Sequence, residues 1–137
     1  MGAGFVYMEH YDVEACATTL KGTVTCGSSC GYGGGKEFTL EETLDILDGV
    51  NKEIVDDGFS PIPCILREGV LAGRASSESY REKVFSMNFS WSPRVAPMDK
   101  TIFYETLLKY ANVLGQKMGQ ERMYLEFDNQ TEVLKKK

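Results

Sequence analysis

The chain has 137 residues, 42% of them hydrophobic and 26% charged, with a formal net charge of −5. That length suits one domain with a real core, here taken as residues 1–137, and no apolar run is long enough to span a bilayer. The acidic balance argues against nucleic-acid binding, which needs a basic surface, and Lys135-Lys136-Lys137 is the sole basic run.

The first residues, Met1 to Tyr7, show no basic segment followed by an apolar stretch. No signal peptide is therefore expected, and the protein is assigned to the cytoplasm. In a reducing compartment its four cysteines, Cys16, Cys26, Cys30 and Cys64, are expected to be free or metal-bound. Phe5 to Tyr11 reads as a first strand. Residues 12–22 fit two patterns. Asp12 can cap a short helix carrying Val13, Cys16, Ala17 and Leu20, stopped by Gly22, and this is the preferred reading. The other is a hairpin turning at Lys21-Gly22 between two threonine-rich arms.

Next comes the densest chemistry in the chain: Cys26, Cys30, a glycine-rich run with Tyr32, and Lys36. A phosphate-binding loop of the Gly-x-x-x-x-Gly-Lys-Ser/Thr kind fails here, because Glu37 follows the lysine and Cys30 occupies the first glycine position. A dinucleotide fingerprint fails too, since no parallel βαβ unit surrounds it. The Cys26–Cys30 pair is a weak metal candidate, because structural zinc normally needs a second close pair of ligands. Nucleophilic catalysis would pair Cys30 with His10, the single histidine. The bland alternative, a surface loop delivering the chain to a helix, outweighs each of these.

That helix starts at Thr39, where Thr39 and Glu42 form a capping box, and spans about 40–57. Leu40, Leu44, Leu47, Val50 and Ile54 give it an apolar stripe, and Gly58 is its stop. Ile62 to Arg67 and Val70 to Arg74 read as two short strands around Glu68-Gly69. From Glu82 to Trp91 the sequence alternates strictly, with Phe85, Met87, Phe89 and Trp91 on one side, which marks a half-buried strand. A second helix, about 100–118, is capped by Asp99 and carries Phe103, Leu107, Tyr110, Ala111, Leu114 and Met118 at helical spacing. Met123, Leu125 and Phe127 alternate in a further strand, and a turn at Asp128 to Gln130 leads to a short edge strand.

This order implies an α+β fold: a mixed or antiparallel sheet of four to six strands with two main helices packed on one face. The succession matches the β-α-β-β-α-β arrangement of ferredoxin-like folds, which says little about function. The preferred function is a binding or interaction domain without enzymatic activity. It would be a homodimer by default and take a small apolar or anionic ligand, or a protein, in an apolar pocket or groove edged by the glycine loop. Lys36, Tyr32, Trp91 and Arg94 are the candidate ligand contacts, with Arg67, Arg74 and Arg81 as further rim cations. The alternative is a small enzyme using Cys30 or His10 beside that loop. No cofactor, nucleic acid or membrane partner is expected.

Overall fold

A computed structural model describes residues 9–30, 35–94 and 96–137 of the chain. Its elements are β1 (Lys21–Gly27), α1 (Leu40–Asp56), β2 (Cys64–Ala75), β3 (Glu78–Ser90), α2 (Lys100–Lys117), β4 (Arg122–Phe127) and β5 (Gln130–Lys135). The five strands form one antiparallel sheet in the order β2-β3-β1-β4-β5. The first six elements follow the β-α-β-β-α-β succession, and β5 adds an outer strand. Among the described residues no helix is long and apolar enough to cross a membrane.

Both helices cover the same face of the sheet. Alternation puts Val24 and Cys26 of β1, Phe85, Met87 and Phe89 of β3, and Met123 and Leu125 of β4 under them. Leu47, Val50 and Ile54 of α1 and Phe103, Leu107, Tyr110, Leu114 and Met118 of α2 pack down onto that layer. Each large side chain so buried contributes about 1.5–3 kcal/mol, and this face carries most of the folding free energy. Gly22 lets α2 sit close: a Cβ there would lie 2.5 Å from Leu107 Cδ1 and 3.0 Å from the Glu126 carbonyl oxygen.

Helix α1 starts as its sequence requires. The Thr39 hydroxyl accepts from Glu42 N at 3.1 Å, and the Glu42 carboxylate accepts from Thr39 N at 3.1 Å. It stops at Gly58, whose φ of +86° is available to glycine without strain. Its apolar stripe lies differently from the expected one in the first two turns. Leu40 and Leu44 are exposed, while Thr43 is buried with its hydroxyl donating to the Thr39 carbonyl at 2.9 Å.

The sheet differs from the expected one in three places. Residues 64–75 are one strand, not two, and the chain reverses at Ser76-Ser77, with Ser76 at φ +55°. Glu68 and Gly69 instead stand opposite Phe85 and Val84 as ordinary ladder positions. Residues 12–20 form neither helix nor hairpin. Lys21 and Gly22 already belong to β1, where Gly22 pairs with both Phe89 and Phe127. Of the first strand expected at Phe5 to Tyr11, residues 5–8 lie outside the described residues, and 9–11 take no strand conformation.

Candidate functional site

The residues on either side of the glycine run pair with each other. Cys30 N donates to the Lys36 carbonyl and Phe38 N to the Ser28 carbonyl, each at 2.7 Å, so residues 28–30 run against 36–38. Gly35 is needed for this closure, because a Cβ would come within 2.3 Å of the Cys30 carbonyl oxygen. Phe38, 8% exposed, anchors the returning arm in the core. The loop is then locked to the end of α2 by Gln120. Its side-chain oxygen accepts from Gly27 N at 3.1 Å, and its amide donates to the Ser29 carbonyl at 2.8 Å.

The candidate site residues separate into two groups at opposite ends of β1. At its carboxyl end, Cys26 is fully in the core with its thiol 4.0 Å from Met118 Sδ. Burial there pushes its pKa from 9.0 up to about 12. Cys30 is half-buried, with its thiol 3.9 Å from the Gly119 carbonyl oxygen. Lys36 forms an ion pair with Glu42 at 2.5 Å and lies 5.5 Å over the Phe38 ring, so its charge reinforces the helix cap. Tyr32 lies outside the described residues. At the amino end, Trp91 N donates to the Leu20 carbonyl at 3.0 Å, and its indole donates to the Ala96 carbonyl at 2.9 Å. Arg94 pairs with Glu14 at 3.0 Å, both side chains exposed. His10 is exposed, and no hydrogen bond joins it to Cys30. The length of β1, about 20 Å at a strand's rise per residue, stands between the two groups. Among the described residues no cluster of His, Cys, Asp or Glu has the arrangement to hold a metal ion.

A different place gathers polar and aromatic groups: the sheet face that the helices leave open. Strand alternation brings Thr23 and Thr25 of β1, Glu82 and Val84 of β3, and Arg122, Tyr124 and Glu126 of β4 to this side. The register sets Tyr124 opposite Thr25 and Val133, and Glu126 opposite Thr23 and Thr131. A cavity of about 330 Å³ lies over these residues, between the β2–β3 hairpin and the start of β4. Thr25, Gly27 and Val84 make its floor, Leu71 and Tyr124 give it apolar and aromatic walls, and Glu82, Glu121 and Glu126 bring three carboxylates to it. Arg122 supplies one cation at the rim.

Two residues shape this cavity. Gly27 leaves room for a carboxylate over the strand, since a Cβ would sit 2.8 Å from Glu82 Oε1. Gln120, through its two bonds to the β1 end, fixes where Glu121 and Arg122 emerge. Ser29 of the cysteine–glycine segment reaches the same cavity, so the loop is an edge of it. A wider hollow of about 810 Å³ continues past Glu126 and Thr131 to the β4–β5 turn. Its lining mixes both charge signs, with Lys21 and Lys100 beside Glu126 and Asp128, whereas the smaller cavity is the one where three carboxylates meet a tyrosine. Of these outward residues, Arg122, Tyr124 and Glu126 are visible in the sequence as the outer phase of an alternating strand, and Glu82 as the start of another; Thr23, Thr25 and Glu121 carry no such signal. What the pattern does not say is which strands lie side by side.

No protein-family model matches the chain, and no curated protein sequence matches it. Solved structures do. A phage SAM lyase in complex with S-methyl-5'-thioadenosine superimposes with a TM-score of 0.63 at 12% identity, covering 89% of this chain and 93% of that one. A phage SAM lyase in its apo state gives a TM-score of 0.61 at 12% identity, covering 86% and 90%. The likeness therefore extends over nearly the whole of both chains, and at this identity it is a likeness of fold.

Proposed function

We propose that this chain binds a small sulfur-bearing adenine nucleoside, S-adenosylmethionine or the thioether derived from it, in the acidic cavity on the open face of the sheet. The observation that carries the reading is the convergence of Glu82, Glu121 and Glu126 with Tyr124 on a fold whose solved neighbour holds S-methyl-5'-thioadenosine. A sulfonium carries a fixed positive charge that no pH change removes. Glu82 and Glu126 are exposed and Glu121 is half-buried, so their attraction for it acts near the surface and weakens with added salt. Tyr124 offers a ring face on which a flat base can stack. The volume of about 330 Å³ falls at the small end of the range that encloses a compact organic ligand.

A second reading, an enzyme, rests on the same place. Both solved neighbours are lyases of S-adenosylmethionine. When the bond between the sulfonium and a carbon breaks, the electron pair stays on sulfur and removes its positive charge, while a carboxylate takes a proton from the adjacent carbon as a carbon–carbon double bond forms. Acidic groups hold the charged reactant and lose their hold on the neutral thioether, which favours release of product over its accumulation. In this reading the carboxylates carry the chemistry, while Cys30 and His10 stand outside it.

Incubation of the purified chain with S-adenosylmethionine, followed by chromatography at the adenine absorbance, separates the two. Retention of intact S-adenosylmethionine with a ligand-dependent rise in Tm supports binding, and release of S-methyl-5'-thioadenosine supports the enzyme. No shift in Tm and no turnover at millimolar ligand refutes both.

A further inference from the structure

Strand β2 forms one outer edge of the sheet and pairs along its full length only with β3. Residues 70–75, with 78–83 of β3, run on past Gly27–Val84, the last pair between β1 and β3. They make a two-stranded arm, and such a hairpin standing alone in water is marginally stable. Its edge is also unguarded. Gly69 to Gly73 contains no charge and no proline, the usual devices against edge pairing, and Val70 and Leu71 are 66% and 49% exposed.

The backbone of β2 fixes which groups face outward. Ser90 N donates to the Pro63 carbonyl at 3.1 Å, so Pro63 and Ser90 are a hydrogen-bonded pair. Such pairs alternate along an antiparallel ladder, and the β2–β3 register continues without a break to Ala75–Glu78. Odd-numbered residues of β2 therefore direct N–H and C=O to β3. Even-numbered residues Glu68, Val70, Ala72 and Arg74 direct theirs outward, where among the described residues no strand meets them.

We propose that this edge pairs antiparallel with β2 of a second copy of the chain, about a two-fold axis through Leu71. Two-fold pairing in one continuous sheet sets residues of the same face opposite each other, which limits the register to a few choices. Centring on Arg67, Glu68 or Arg74 would put a like charge against itself. Centring on Leu71 sets Leu71 against the partner's Leu71 in a non-hydrogen-bonded pair, where side chains are closest. Val70 then faces the partner's Ala72, and Gly69 faces the partner's Gly73. Glu68 meets the partner's Arg74, and by symmetry Arg74 meets the partner's Glu68. Both oppositely charged pairs form at once, and the exposed Val70 and Leu71 leave the water.

Sedimentation of the full chain at micromolar concentration is expected to give twice the chain mass. Ala72→Pro removes an outward N–H and no bond to β3, so it is expected to yield a monomer with unchanged circular dichroism. Glu68→Arg makes both charged pairs repulsive and is expected to weaken the dimer about tenfold. Adding Arg74→Glu to it restores the affinity. In a Cys16→Ser background, Leu71→Cys is expected to cross-link under mild oxidation and Val70→Cys to resist it, since the non-hydrogen-bonded two-fold pair brings only position 71 against itself. A monomeric wild type, a dimer indifferent to Ala72→Pro and Glu68→Arg, or cross-linking at 70 in place of 71 overturns the proposal. A monomer whose β2 edge is protected from hydrogen exchange, the result expected if another segment of the same chain covered it, overturns it equally.

Discussion

Removing one oxygen atom from Tyr110 tests how the two helices and the loop into β2 are held together. Tyr110 on α2 is fully buried, with its ring 4.6 Å from that of Phe89 on β3. Its hydroxyl donates to Asn51 Oδ1 on α1 at 2.5 Å and accepts from Ile62 N at 3.0 Å. Burial holds the phenol pKa above 10.0, so the proton needed for the first bond stays in place. Tyr110→Phe keeps the ring packing and removes both bonds. Ile62 is 2% exposed, so its N–H is left without a partner, which costs about 1–3 kcal/mol. Asn51 is half-buried and recovers part of its loss from water. The sum is about 2 kcal/mol, which for a chain of this size lowers Tm by roughly 5–10 °C. Urea unfolding followed by Trp91 fluorescence measures it. A loss below about 0.5 kcal/mol would show that the buried N–H finds another acceptor, and would refute the bridging role given to this hydroxyl.

Thr39→Ala removes half of the capping box and is expected to cost about 1 kcal/mol by the same assay. Stability should fall as pH rises above 9, because Cys26 ionises near 9.0 when unfolded and near 12 when folded. The folded state holds the extra proton throughout that window, so at pH 10 this one thiol accounts for a loss of about 1.4 kcal/mol relative to pH 8. Cys26→Ala should flatten that part of the profile. A mild alkylating reagent should label exposed Cys16 first and Cys26 only on unfolding. Peptide mapping of labelled protein that found Cys26 modified before Cys16 would contradict the burial described.

Both helices were legible because their signals are local: a capping box at Thr39, an Asp99 cap, apolar residues at helical spacing, and glycine stops. The strands of β3 and β4 were legible from alternation. Glu68-Gly69 is turn-like in composition and suggests a break in β2, yet ladder pairing with Val84 and Phe85 overrides that tendency. The threonine-rich approach to β1 carried no such pattern. Its Gly22 is required by Leu107, a residue 85 positions away, and no local signal reports that contact. The same reason hid the candidate site. Glu82, Glu121, Tyr124 and Glu126 come from two distant stretches of the chain, and only the placement of β1 between β3 and β4 brings them together. The cysteine–glycine segment is conspicuous in the sequence because its chemistry is contiguous. In the fold its flanks pair with each other, Lys36 serves a helix cap and Ser29 touches the cavity edge.

The most direct test of the acidic cavity is isothermal titration with S-adenosylmethionine and, separately, with uncharged S-methyl-5'-thioadenosine, on the wild type and on a Glu82→Gln, Glu126→Gln double variant. The account predicts saturable binding of both by the wild type. In the double variant the sulfonium ligand should weaken about tenfold or more, while the neutral thioether changes little. Absence of binding by the wild type, or an equal loss for both ligands, would contradict the role assigned to these carboxylates.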